Sequence, residues 1–351
     1  MPIRAISGYI GFNNLRESAK SVDGVRMDYS KDFLLKLYRT MLKIRVCEES
    51  LVDPILDGTI QCPVHLCSGE EAVAVGVCAA LKKSDFVYGN HRSHGHFIAK
   101  GGDVNAMVAE IFCKETGCSR GRGGSMHLID PDIGMLGSAP IVAGTVSLAM
   151  GTALAAKIRD SDAVTVSFFG DGATNEGVLY ECLNFAALKK LPLIFVCENN
   201  YYATHMPVCE CRPGTDIYKI AQPFGIKSKK VDGNSVLEVF EATQEAVAEC
   251  RQGKGPVFLE AMTYRLRGHV GPDDNIQGNH TDIRPESEIA SWREKDPIRS
   301  FYQTLIAHYG ITEPELKAIS SEISAEIDAA FKFATAISYP SNCEIEKYVF
   351  R

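Results

Sequence analysis

The chain has 351 residues, 45% of them apolar and 23% charged, with a formal net charge of -7. That length can bury a large core, and one big α/β domain with extensions fits it as well as two domains. The acidic balance argues against a general binder of nucleic acid or of an anionic membrane and leaves proteins and small molecules as partners.

Residues 1–28 show no sustained period and no apolar run of signal-peptide length, so they read as an N-terminal arm on a cytoplasmic protein. From Ser30, the spacing of Leu34, Leu37, Tyr38, Met41 and Ile44 predicts a helix, which the Gly/Pro stretch 58–63 ends. Residues 65–72 lead into a second, small-residue helix, AVAVGVCAAL. Glu70 and Glu71 stand at its start and read as first-turn acids favoured by the helix dipole. Phe86, Val87 and Tyr88 form a short strand, followed by GNHRSHGH. Packing poorly explains His91, Arg92, His94 and His96 clustered at a strand end, so the cluster marks a functional turn.

Residues 117–127, GCSRGRGGSMH, form a basic, glycine-rich loop. One short copy without interleaved aromatics is poor support for RNA binding. Residues 139–156 are uncharged and nearly long enough to span a bilayer, but their small side chains supply little driving force for insertion. Gly144, Ser147, Gly151 and Ala155 instead form a small-residue stripe at helical spacing, which predicts a subunit interface. The twelve cysteines are scattered, and Cys78, Cys182, Cys197 and Cys250 lie within apolar patterns as buried reduced thiols do. Cys113 with Cys118, and Cys209 with Cys211, lack the spacing of a zinc site.

Residues 163–202 form the most informative stretch, AVTVSFFGDGATNEGVLYECLNFAALKKLPLIFVCENNYY. Residues 164–169 and 193–197 have the length and composition of buried strands, while Val178, Cys182 and Phe185 recur at helical spacing. Two strands joined by one helix are expected to be parallel neighbours. Asp171 and Asn200 then end adjacent strands and face one point, where a carboxylate, an amide oxygen and a main-chain carbonyl suit Mg²⁺ and a phosphorylated ligand. Gly170 and Gly172 allow close backbone approach, and a helix starting near Thr174 or Asn175 would direct amides at an anion.

Residues 201–216 read as a polar, proline-containing loop; further on, Val236, Phe240, Val247 and Cys250 mark another helix, and VFLEAMTYR another strand. The strand runs into a long glycine-containing loop with His269 between Gly268 and Gly271, a position suited to chemistry. Beyond residue 297, Ile319, Ile323, Ile327, Ala330 and Phe331 predict a helical tail.

GDG followed at this distance by NN resembles the thiamin diphosphate signature. With the flanking motifs, the chain resembles the alpha subunits of the decarboxylating component of 2-oxo acid dehydrogenases, those of acetoin or pyruvate dehydrogenase above all. The resemblance implies a three-layer α/β/α fold with a mainly parallel sheet, occupying 29–297, with 298–351 as a C-terminal helical extension. It implies thiamin diphosphate and Mg²⁺ as cofactors, with Asp171, Asn200 and the Tyr202 carbonyl as metal ligands. His91, Arg92, Gly170, Gly172, Ala173 and His269 would meet the cofactor diphosphate and its surroundings, and Pro140 and Val142 its ring. His269 and His94 are the expected catalytic residues, and His127 a contact for substrate or partner. Mammalian members carry a regulatory serine directly after the histidine that matches His269, but Val270 has no hydroxyl to phosphorylate. The implied assembly is an α2β2 heterotetramer. Its beta subunit supplies the activating glutamate, and an acyl group passes to a lipoyl acyltransferase.

Overall fold

Burial on both faces dictates the centre of this protein. In a computed structural model, which describes residues 29–273, 275–276, 279–280, 282–342 and 347, all seven residues of the strand Leu193–Asn199 are buried. The expected arm, 1–28, and Asp274 of the loop after His269 lie outside the described residues. In chain order the helices are α1 (Lys31–Ser50), α2 (Val52–Leu56), α3 (Glu71–Ala79), α4 (His94–Lys100), α5 (Val104–Ile111), α6 (Gly144–Ile158), α7 (Gly177–Lys189), α8 (Val208–Cys211), α9 (Val236–Arg251), α10 (Glu286–Arg293), α11 (Pro297–Tyr309) and α12 (Glu313–Ala336). The strands are β1 (Phe86–Tyr88), β2 (Met135–Gly137), β3 (Thr165–Gly170), β4 (Leu193–Asn199), β5 (Tyr202–Ala203), β6 (Met206–Pro207), β7 (Lys227–Asp232), β8 (Val257–Met262), β9 (Asn275–Ile276) and β10 (Asn279–His280).

Six strands form one sheet in the order β2-β1-β3-β4-β8-β7, and every pairing is parallel. The predicted neighbours β3 and β4 run in register from Thr165 opposite Leu193 to Gly170 opposite Glu198. A parallel sheet needs cover on both faces. Leu193, Phe195 and Cys197 pack with Val146, Ala149 and Ala153 of α6 and Leu179, Cys182 and Leu183 of α7 in one cluster. Ile194 and Val196 alternate with them, and α9 also packs on β4, β7 and β8. The result is the three-layer α/β/α architecture. The order reverses direction about β1, so ligands are expected in the crevice beyond the carboxyl ends there.

The predicted stripe of α1 is wholly buried, as is the α12 stripe of Ile319, Ile323, Ile327, Ala330 and Phe331. These two helices pack together, and α12 also covers α5. Thr312 and Glu315 form a capping box at the start of α12, which satisfies amides that its first turn leaves free. The tail thus belongs to the same compact unit as the sheet, which runs from Lys31 onward.

Two local expectations change. The helix after GDG begins at Gly177 rather than near Thr174, because a 3-10 turn over Asp171–Asn175 intervenes. That turn is fixed by Thr174 Oγ1 donating to the Asp171 carbonyl at 2.6 Å and by the Tyr180 hydroxyl donating to the Thr174 carbonyl at 2.9 Å. The loop 201–216 contains the β5–β6 hairpin and α8, so it is more ordered than its polar composition suggested.

Candidate active site

Five adjacent strands of the sheet deliver residues to one cavity of about 340 Å³ at their carboxyl ends. β2 leads to Pro140 and Val142, β1 to His91 and Arg92, β3 to Gly170, Asp171, Gly172 and Ala173, β4 to Asn200 and Tyr202, and β8 to Arg265 and His269. Each cofactor-contact residue expected from the sequence therefore lines this one space. His94 does not.

Asp171 is 3% exposed, and among the described residues its Oδ2 has no hydrogen-bond partner. Burial pushes its carboxyl up to about 6, against an opposing pull from the backbone amides of Gly172, Asn200 and Tyr202. The Asn200 side chain is oriented by its neighbour: Nδ2 donates to Glu70 Oε1 at 2.8 Å, and Oδ1 accepts only a long 3.3 Å bond from the Tyr202 amide. Gly172 stands close to the β5–β6 hairpin, where an added Cβ would lie 3.0 Å from the Ala203 side chain. An orphaned carboxylate oxygen beside a pre-oriented amide is the donor set of a hard cation.

Arg92 is 6% exposed and fans across the site. It donates to the Leu66 carbonyl and, at 3.1 Å, to the His269 carbonyl, while its Nε lies 3.4 Å from Glu70 Oε2. A fixed planar guanidinium of this kind suits phosphate oxygens. Burial first, and then Arg92, push His65 and His269 down to about 2 and His91 well below its ordinary range. All three are therefore neutral imidazoles near neutral pH.

Three residues, Glu70, Arg265 and His94, stand differently from what the sequence suggests. Glu70 is no surface first-turn acid: it is buried in the cavity wall, and desolvation raises it to about 7. Its neighbour Glu71 does stay at the helix start, where it pairs with Arg45 and accepts from the Gly69 amide at 3.1 Å. Buried Arg265, whose Nη2 donates to the Thr204 carbonyl at 2.9 Å, had no marking motif. His94 is fully buried behind the cavity, its Nδ1 bonded to Glu48 and its Nε2 2.8 Å from Ser125 Oγ. It joins α1 to the glycine-rich loop and does not reach the space where a substrate would sit. His127 is exposed, with Nδ1 3.0 Å from the Gly123 carbonyl.

A parallel α/β sheet with buried acidic and basic side chains gathered around one cavity at its strand ends is the architecture of a cofactor-dependent enzyme component. The chain belongs to the dehydrogenase E1 component family, whose model matches residues 38–343. Membership makes it a thiamin diphosphate-dependent oxidoreductase component of the alpha-subunit type, the class that its motifs resemble. It is 39% identical to the alpha subunit of acetoin:2,6-dichlorophenolindophenol oxidoreductase of Bacillus subtilis (strain 168), over 91% of this chain and 94% of that protein. It is also 39% identical to the pyruvate dehydrogenase E1 component subunit alpha of Rhizobium meliloti (strain 1021), over 92% and 91%. A chloroplastic counterpart from Arabidopsis thaliana, pyruvate dehydrogenase E1 component subunit alpha-3, is 36% identical over 98% and 80%. Among the described residues no helix is long and apolar enough to cross a membrane.

Proposed function

We propose that this chain holds the diphosphate half of thiamin diphosphate in an acetoin or 2-oxo acid dehydrogenase, with Asp171, Asn200 and the Tyr202 carbonyl as ligands to Mg²⁺. The observation that carries the reading is the Asp171 carboxylate, buried beside Asn200 with one oxygen unpartnered among the described residues. A hard cation bound there would compensate its desolvation and lower its proton affinity. Bound in this cavity, the cofactor supplies the carbon nucleophile and electron sink for cleaving the bond next to a carbonyl.

The chain's own residues bind and orient. Arg92 is held by the Leu66 and His269 carbonyls, so it offers its remaining donors to phosphate without first having to be ordered. Pro140 and Val142 give the apolar wall for the cofactor ring, and Gly170, Gly172 and Ala173 let the backbone approach. His269 Nδ1 lies 3.5 Å from Arg92 Nη2, a permanent donor, which favours the tautomer with its proton on Nε2. The Nε2–H group is then what His269 presents to substrate. His94 acts as a positioning residue, through Glu48 and Ser125.

The activating glutamate is assigned to a beta subunit, and the working form to an α2β2 heterotetramer that passes its acyl group to a lipoyl acyltransferase. Support comes from the cavity edge and α6: Ile141 is 72% exposed, Val142 49% and Leu148 56%, and the small-residue stripe reaches the surface at Gly151 and Ala155. Such an apolar face next to a cofactor cavity suits a protein partner. Calorimetry with thiamin diphosphate and Mg²⁺ tests the reading. Binding should require the metal and vanish in Asp171→Ala; metal-independent binding, or binding unchanged in the variant, would sink it.

A further inference from the structure

His65, His91 and His269 come from three separate segments, yet their rings close into a triangle. Ring centroids are 4.7 Å apart for His65 and His91, 5.1 Å for His65 and His269, and 5.5 Å for His91 and His269. One ligand nitrogen from each lies within 4.8 Å of the others. Nitrogens bound tetrahedrally to zinc stand about 3.3 Å apart, given metal–nitrogen distances of about 2.0–2.1 Å. Side-chain rotation over about an ångström therefore converges them.

The triangle is held from behind. Arg92 donates to the carbonyls of both Leu66 and His269, and the Gly271 amide donates to the Val64 carbonyl at 2.7 Å, which ties two of the three segments together. His65 is 8% exposed, and among the described residues its Nδ1 has no hydrogen-bond partner. A buried ring nitrogen left without a donor or acceptor, in a ring packed against two other imidazoles, calls for an explanation. The imidazoles are uncharged, so each keeps one lone pair, and binding the ion would hold His269 in the tautomer that turns its lone pair to the metal rather than to Arg92. Arg92 and Arg265 are the charges that oppose a cation here, and Glu70, 3.4 Å from Arg92, offsets part of that opposition.

We propose that His65, His91 and His269 form a three-nitrogen site for one zinc-class divalent ion, distinct from the oxygen ligands of Asp171 and Asn200. Imidazoles select Zn²⁺, Cu²⁺, Ni²⁺ or Co²⁺ over Mg²⁺, whereas the carboxylate and amide select the reverse. The cavity thus holds two cation sites of opposite preference. An ion on the histidines occupies the space in front of Arg92, so it competes with the cofactor. That competition rests on the reading above; the metal site itself does not.

The test uses the full-length, cofactor-free chain. Co²⁺ should bind with the visible d–d bands of a low-coordinate nitrogen site, and Cu²⁺ should give electron paramagnetic resonance hyperfine structure from three nitrogens. Single His65→Gln, His91→Gln and His269→Gln variants should each weaken Co²⁺ binding at least about 10-fold, while Asp171→Ala leaves it unchanged. A thiolate-to-cobalt band, fewer than three nitrogens on Cu²⁺ in the wild type, or undiminished binding in the folded histidine variants would overturn the proposal. Thiamin diphosphate with Mg²⁺ should displace the Co²⁺. If the cofactor binds while the Co²⁺ stays on the three histidines, the metal site stands and the functional reading falls.

Discussion

On the proposed reading, Asp171 is placed for function at a cost to the cofactor-free fold. Its carboxylate is buried, raised to about 6 by desolvation, and one of its oxygens lacks a partner among the described residues. Replacing it with the near-isosteric amide removes a charge that the cofactor-free fold compensates only in part. Asp171→Asn should therefore raise the stability of the cofactor-free chain by about 1 kcal/mol while Mg²⁺-dependent cofactor binding disappears. Thermal melting with and without Mg²⁺ and cofactor checks both halves; a destabilised cofactor-free variant would contradict the assignment. Residues of this kind were legible because GDG and NN mark strand ends, and a parallel sheet gathers its strand ends. Glu70 and Arg265 were not, since their roles come from contacts with Asn200 and Thr204, 130 and 61 positions away. His94 was misjudged for a related reason: proximity in sequence to Arg92 says nothing about which way the first turn of α4 points its ring.

At the scale of elements, the glycine-rich loop 117–127 has one organiser that no sequence pattern announced. Glu110, fully buried near the end of α5, accepts from the amides of Ser119 at 2.7 Å, Gly121 at 2.8 Å, Gly123 at 2.7 Å and Gly124 at 3.0 Å. The glycines fit this use. Gly121 and Gly124 have positive φ, and a Cβ on Gly117 would meet Glu110 itself at 2.2 Å. Glu110→Gln turns one acceptor into a donor facing two amides, so those bonds are lost and replaced by repulsion. We expect faster hydrogen exchange at these four amides and a loss of about 2–3 kcal/mol, with far-ultraviolet circular dichroism unchanged. Exchange confined to other segments would show that the loop is held by something else. The 3-10 turn after GDG was equally hidden, since Thr174 and Tyr180 that fix it are ordinary helix residues by spacing.

Across the whole molecule, Asp296 links helix α1 to the tail helix α11. It caps α11 by accepting from the amides of Ile298 at 2.9 Å and Arg299 at 3.1 Å, and it pairs with Arg45 of α1 at 2.6 Å. Burial works to raise its carboxyl, but Arg45 and the cap amides outweigh burial and hold it below the usual range. The sign follows: a carboxyl lowered on folding contributes stability above its unfolded value and loses it as pH falls through the folded one. The chain should therefore melt earlier as pH drops below about 4, and Asp296→Ala should flatten that part of the profile while lowering stability near neutrality by about 2–4 kcal/mol. An acid profile identical in the variant would assign the loss elsewhere. The layered fold itself was readable from period and strand composition, and α12 from its apolar stripe. That the tail packs on α1 and α5 was not, because a stripe records which face is covered and not by what.

Ile141 and Val142, exposed at the rim of the cavity, carry a thermodynamic consequence. On the proposed reading a second chain covers them, and the cofactor then touches two polypeptides at once. Linkage requires that each tighten the other's hold: cofactor raises the association constant of the subunits by the same factor that association raises cofactor affinity. Dilution would then act as an eluent, releasing cofactor because it releases the partner. Saturation with cofactor would keep the assembly together at concentrations where the bare chains part.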